Sequence, residues 1–377
     1  MQERHVRSWI QQLLILAPAE TICRVIVGAT TADRIGSMKI RTSIAAFGLA
    51  VCLLVQPAVA VRMEDPPAAE SLEDGEAAYE RGDYATALSL MKPLAEQGNP
   101  KAQDYLGLMY DYGKGVAKDY EEAVKWYRKA AEQGYASAQY NFGNMFRNGQ
   151  GVSKDDAEAV KWYRKAAEQG HAKAQNRLGL MYDNGQGVAK DDAEAVKWYR
   201  KAAEQGYASA QYNLGSMYDN GEGVARDFAE AMKWYRKAAE QGYASAQNNL
   251  GVMYDNGVGV AEDDAEAVKW YRKAAEQGNA SAQYNLGNLF RDGQGVAKDD
   301  AEAVKWFRKA AEQGYALAQS NLGLMYDNGE GIAKDDAEAV KWYRKAAEQG
   351  NASAQYNLGL MYYHGEGVAE DEAEAMK

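Results

Sequence analysis

The sequence predicts an all-α solenoid of stacked antiparallel helix pairs, and three regularities carry that prediction. Trp126, Trp162, Trp198, Trp234, Trp270, Trp306 and Trp342 each open a Trp-Tyr or Trp-Phe pair and follow one another at 36-residue steps. The glycine of Ala-Glu-Gln-Gly keeps the same step from Gly98 to Gly350. Within each period, apolar residues recur at helical spacing in two blocks separated by a glycine-rich turn. A fixed period of this length marks units that bury their apolar faces only against their neighbours.

Taken from the amino terminus, the chain first shows an address. Met38-Lys39-Ile40-Arg41 begins a basic stretch, Ile44 to Val55 supplies an apolar core, and Pro57-Ala58-Val59-Ala60 offers small residues at a cleavage point. These are the three parts of a secretory signal, read over residues 38–60, with residues 1–37 as an upstream extension. The alternative is an uncleaved anchor, but Gln56-Pro57 interrupts the span. Leu49-Ala50-Val51-Cys52 is a poor lipidation box, because Val51 is bulky and the apolar run continues past the cysteine. Residues 61–70, with Pro66-Pro67 and mixed charge, read as a flexible lead-in.

From residue 71 the units run 71–98, 99–134, 135–170, 171–206, 207–242, 243–278, 279–314, 315–350 and an incomplete 351–377. The opening unit is degenerate, with Leu90 where later units carry tryptophan. The final one stops at Met376-Lys377, where the next residue should be the tryptophan, so the sequence reads as truncated there. An uncapped apolar end also offers a route to end-to-end association.

Unit 207–242 serves as the specimen. Ala210, Leu214, Met217 and Tyr218 are spaced as one stripe of a first helix. Gly215 inside that helix costs about 1 kcal/mol relative to alanine, which points to a neighbouring helix too close for a side chain. Gly221 and Gly223 then suit a turn at positive φ. Asp227 and Glu230 predict a capping box opening the second helix, where Ala231, Trp234, Tyr235 and Ala238 form the inward stripe. Gly242 closes it. In an earlier unit Asn99-Pro100 shows the next first helix starting at once.

Composition narrows the function. The formal charge is −11, and residues 1–60 carry six basic and three acidic side chains, which leaves the rest at −14. A body this acidic repels phosphate backbones, which argues against nucleic acid as a partner. Both cysteines, Cys23 and Cys52, precede the repeats, so packing alone must hold the array. His171 and His364 fall in different units and predict surface placement rather than a metal or catalytic site. The Asp-Asn-Gly-x-Gly loops at Asp183, Asp219, Asp255 and Asp327 suit turn chemistry better than calcium. No phosphate loop or Ser/His/Asp arrangement can be assembled, so the expectation is a protein that is not an enzyme and carries no cofactor.

Asn213-Leu214-Gly215-Ser216-Met217-Tyr218, Gly221-x-Gly223-Val224, Asp227 and Ala231 through Trp234-Tyr235-Arg236-Lys237-Ala238-Ala239 resemble the Sel-one-like repeat, a relative of the tetratricopeptide repeats. The resemblance covers residues 71–377. It implies a right-handed superhelix with a concave face for partner proteins, and adaptor roles in signalling, quality control or bacterial envelope biology.

Differences between the units point to the surface used. Lys-Asp-Asp-Ala-Glu-Ala-Val-Lys-Trp-Tyr-Arg-Lys-Ala-Ala-Glu-Gln-Gly recurs verbatim at 154–170, 190–206 and 334–350. By contrast, the place of Tyr212 is taken by Asp104, Tyr140, Asn176, Asn248, Tyr284, Ser320 or Tyr356. That of Ser216 is taken by Leu108, Asn144, Leu180, Val252, Asn288, Leu324 or Leu360. These places lie four apart and read as a face turned away from the buried stripe. Contact-forming residues, rather than added charge, make Tyr140, Asn144, Tyr212, Ser216, Tyr284, Asn288 and Tyr356 the partner-binding candidates. The expected function is a periplasmic or secreted scaffold gripping a protein or peptide partner, with no membrane insertion after signal cleavage. The alternative is a binder of cell-wall glycan, or a regulator of a cell-wall enzyme, acting through the same tyrosines.

Overall fold

The structure is a computed structural model and describes residues 72–376. The expected extension (1–37), signal (38–60) and lead-in (61–70) lie outside the described residues. The described part contains 18 α-helices and no strand. They begin with α1 (Leu72–Glu80), α2 (Tyr84–Glu96), α3 (Pro100–Tyr112), α4 (Tyr120–Glu132), α5 (Ala136–Asn148) and α6 (Asp156–Glu168). Next come α7 (Ala172–Asn184), α8 (Asp192–Glu204), α9 (Ala208–Asn220), α10 (Phe228–Glu240), α11 (Ala244–Asp255) and α12 (Asp264–Glu276). The last six are α13 (Ala280–Asp292), α14 (Asp300–Glu312), α15 (Ala316–Asn328), α16 (Asp336–Glu348), α17 (Ala352–His364) and α18 (Glu372–Ala375). Odd-numbered helices open each unit and even-numbered ones close it. Each packs chiefly on the helix before and the helix after it, which is the nearest-neighbour architecture that the period predicts. Among the described residues no helix is long and apolar enough to cross a membrane.

One core layer shows how units lock. Ala195, Val196 and Tyr199 of α8, Ala210, Leu214 and Met217 of α9, and Trp234 of α10 form a single buried cluster. Three successive helices therefore share each layer, and the tryptophan staples its own unit onto the one before. Fully burying a side chain the size of leucine or methionine contributes roughly 1.5–3 kcal/mol. Tyr235, on the neighbouring stripe position of α10, turns instead into the glycine gap of α9. A Cβ added at Gly215 would sit 2.7 Å from the Tyr235 ring. The glycine thus makes room for an aromatic side chain, not for a close backbone.

Turns and caps follow the sequence in most details. Gly221 and Gly223 have φ of 75° and 66°, and Gly242 has 87°. A Cβ at Gly223 would collide with the backbone carbonyl of Asp192, so this glycine also lets the turn rest on the preceding unit. Asn99 caps α3 through the Ala102 amide, with Pro100 at the first helical position. Asp227 caps α10 by accepting from the Glu230 amide at 3.0 Å. The reciprocal half of the predicted box is not made. The Asp227 amide donates to the Tyr218 carbonyl at 3.0 Å, tying the loop shut. Glu230 is left free to accept from the Trp234 indole at 2.8 Å and from Lys233.

The Ala-Glu-Gln-Gly motif has a role its glycine alone did not suggest. Gln241, the C-cap of α10, donates to Gln211 Oε1 at 2.7 Å, and Gln211 donates to the Ala203 carbonyl at 3.1 Å. Gln211 is only 4 % exposed. This chain of amides crosses α8, α9 and α10 and repeats from Gln103 to Gln319. It gives the carbonyl at the end of the preceding second helix, which already accepts the amide of the closing glycine, a second donor from the following unit.

Candidate functional site

The first-helix positions singled out by their variation sit in the seam between units, deeper than a helical-wheel reading places them. Asp104, Asn176 and Ser320 are buried there, at 4 %, 7 % and 7 % exposure. Tyr140, Tyr212 and Tyr284 are half-buried. Tyr356 is 68 % exposed, with no further unit among the described residues to cover it. The expectation that this position faces away from packing is therefore corrected. A tyrosine here reaches across to two other helices.

The geometry of that reach is the same each time. Tyr212 lies 5.7 Å from Tyr235 of its own unit and 5.2 Å from Tyr243, which opens the next. Tyr284 meets Phe307 at 5.9 Å and Tyr315 at 5.4 Å. Tyr140 meets Tyr163 at 5.9 Å and His171 at 5.2 Å. Tilted ring pairs at these separations are favourable beyond their buried area. His171 also accepts from the Ala174 amide through Nδ1 at 3.2 Å, so it caps α7 rather than standing free on the surface. Burial, and then Lys173, hold its pKa below the ordinary histidine value.

Of the four described units without tyrosine at this place, three carry a polar residue that accepts from the next unit. Asn141 donates to Asp104 at 2.9 Å, Asn213 to Asn176 at 2.9 Å, and Asn285 to Asn248 at 3.3 Å. Burial drives the Asp104 carboxyl up to about 7, against the bond from Asn141. Aromatic and polar seams thus alternate along the array, the tyrosines being 72 residues apart.

Of the second set of candidates, two are committed to structure. Asn144 accepts the Tyr163 hydroxyl at 2.7 Å, and Asn288 accepts from Asn321 at 3.2 Å. Ser216 is half-buried beside Asn220. Its equivalents Val252 and Leu360 are 36 % and 38 % exposed. This row, rather than the row of tyrosines, forms the accessible edge of the first helices. Asp183, Asp219, Asp255 and Asp327 accept from the hydroxyls of Tyr199, Tyr235, Tyr271 and Tyr343, which accounts for the loop aspartates without a cation.

A shallow cavity of about 320 Å³ opens where α5 faces its neighbours, and Tyr140, Asn144, Arg147 and Arg177 are in its lining. Sequence reading passed over both arginines. Their signal was available, since each stands where most other units carry Asp or Asn.

The comparisons agree with this architecture. The profile of the family described as Sel1 repeat matches residues 68–99, 100–135, 136–171, 172–207, 208–243, 244–279, 280–315, 316–351 and 352–377. A protective antigen present in uropathogenic Escherichia coli strains, displaying an SLR fold, is 46% identical with a TM-score of 0.71. That alignment covers 77% of this chain and 62% of the antigen, so the chain spans less than two thirds of that protein's length. A Sel1 repeat protein from Oxalobacter formigenes is 37% identical, with 78% of this chain and 88% of that one covered and a TM-score of 0.62. A search of curated proteins finds no match.

Proposed function

Because this chain belongs to the Sel1 repeat family, we propose that it is a non-catalytic scaffold of the bacterial envelope or secreted fraction that binds a protein or peptide partner along its first-helix face. One observation carries the proposal. The second helices recur almost unchanged, whereas variation concentrates on the accessible edge of the first helices, at Ser216 and its equivalents. A helical scaffold held by repeated packing can change that edge without disturbing its core. The signal read at residues 38–60 supports the envelope or the exterior as its location.

The glycan reading loses its motive at the interior tyrosines. Stacking on a sugar needs open ring faces, and Tyr212 and Tyr284 already pack against two rings each.

Site-specific photocrosslinking in the native fraction tests the proposal. A crosslinker replacing Ser216 is expected to trap a discrete partner, whereas one replacing Lys233, on the exposed side of α10, should not. Equal yields from both positions, or none from Ser216, would overturn the first-helix assignment.

A further inference from the structure

We propose that the cavity at α5 is an oxyanion site that takes a carboxylate from an acidic segment of the partner, held by Arg147 and Arg177. The proposal rests on the partner-binding reading for the source of the ligand, but the site itself stands on its own geometry.

Arg147 and Arg177 line one cavity from consecutive first helices, α5 and α7. Both are half-buried, and neither makes a hydrogen bond or ion pair among the described residues. They are close enough that both positive charges act on the Tyr163 hydroxyl. The one carboxylate in the lining, Asp111, accepts from the Tyr127 hydroxyl at 3.4 Å. Asn141 and Asn148 add amide groups to the rim. Other arginines of the array, such as Arg164, Arg200 and Arg236, are taken up by tyrosine hydroxyls, whereas Arg147 and Arg177 keep their donors for the cavity.

The array itself shows what an arginine at this place donates to. Arg291 occupies the position of Arg147 four units later, and there Asp292 follows it. Two bonds, Arg291 Nε to Asp292 Oδ1 at 2.8 Å and the terminal nitrogen to Oδ2 at 3.0 Å, make a paired fork. Arg147 is followed by Asn148, so the same guanidinium edge is left for a carboxylate from outside. Arg177 replaces an asparagine that at 141, 213 and 285 donates to the polar residue of the preceding unit. Here the preceding unit presents Tyr140 instead, which leaves Arg177 free to face the cavity. A planar guanidinium matches a carboxylate through two parallel hydrogen bonds. The cavity volume is of the size that binds small organic groups rather than a lone ion.

Calorimetric titration with acetyl-Asp-Asp-Asp-amide tests the site, with acetyl-Asn-Asn-Asn-amide and inorganic phosphate as the other arms. Arg147→Asn and Arg177→Asn are each expected to weaken the aspartate peptide tenfold or more. Both place a residue type already used in the array's first helices, and far-UV circular dichroism checks that helicity is kept. Arg291→Gln should leave the affinity unchanged. No binding of the aspartate peptide, equal binding of the asparagine peptide, or an equal loss in Arg291→Gln would each overturn the proposal. Phosphate binding that the aspartate peptide does not displace would also overturn it. The crosslinking at Ser216 reports on a different unit, so the two readings fail separately.

Discussion

The Tyr163 hydroxyl donates to Asn144 Oδ1 at 2.7 Å, whereas five other second-helix tyrosines donate to a first-helix aspartate at 3.1 to 3.4 Å. The exception has a cause. Arg147 has replaced the aspartate in that unit, and Asn144, one turn earlier, supplies the acceptor. In the unit 279–314 the aspartate is also lost, to Arg291, and there the second-helix residue is Phe307, which has no hydroxyl to satisfy.

Asn144→Ala should therefore strand a buried hydroxyl and destabilise the array by about 1–3 kcal/mol. Adding Tyr163→Phe is expected to recover most of that loss, as Phe307 does in its own unit. Urea denaturation of the two single variants and the double variant measures the coupling. Additive losses would show that the hydroxyl is satisfied some other way.

Gly215→Ala sets two effects against each other. Alanine gains about 1 kcal/mol of helix propensity over glycine. The new Cβ, however, would lie 2.7 Å from the Tyr235 ring, and overpacking of this kind costs about 1–3 kcal/mol. A lower thermal midpoint is the expected outcome, because the buried ring is packed against Tyr212 and its hydroxyl is held by Asp219.

Asp104 should make stability depend on pH. Its carboxyl is pushed to about 7 in the folded protein, above the 3.8 of the unfolded chain. The folded state then holds a proton that the unfolded state has released. Its contribution is therefore fully present below about pH 4 and is lost as pH rises to about 7. Asp104→Asn is expected to flatten that slope and to raise stability at pH 8, with Asn141 keeping an amide oxygen to donate to. Denaturation midpoints from pH 4 to pH 8 decide the matter.

Gln211→Ala should cost about 1–3 kcal/mol, since it removes two side-chain hydrogen bonds between units, while the Ala203 carbonyl keeps the Gly206 amide and the Gln241 amide keeps the Lys237 carbonyl. By contrast, Lys197→Ala, which removes an exposed pair with Glu194, is expected to leave the denaturation midpoint unchanged, as solvent and salt screen such pairs. A reversal of that order would mean that surface charge, not the amide chain, holds the units together.

Much of this architecture was legible in the chain because a strict period repeats every local signal. Asp227 before Glu230, the paired glycines Gly221 and Gly223, and Asn99-Pro100 each encode a local backbone event that neighbours in sequence decide. What escaped was contributed across units. Spacing within α9 shows Tyr212 and Ser216 on one side, but the rings that cover Tyr212 come from α10 and from the start of α11. Gln241 finds Gln211 thirty residues away, and no pattern inside one helix announces that. The two arginines at α5 and α7 were visible as departures from the repeat, yet only the folded seam shows that they lack counter-ions and share a cavity.

The partners of the aromatic and polar seams set the smallest piece of this molecule that can be exchanged. Each seam residue is met by two places of the next unit, those of His171 and Asn141, and these do not alternate. Removing the block 171–206 would set Tyr207 against Tyr140 as Tyr243 is set against Tyr212, with Asn213 in the place of Arg177. The array can therefore shed that block without opening a gap, and the heritable module is the single period.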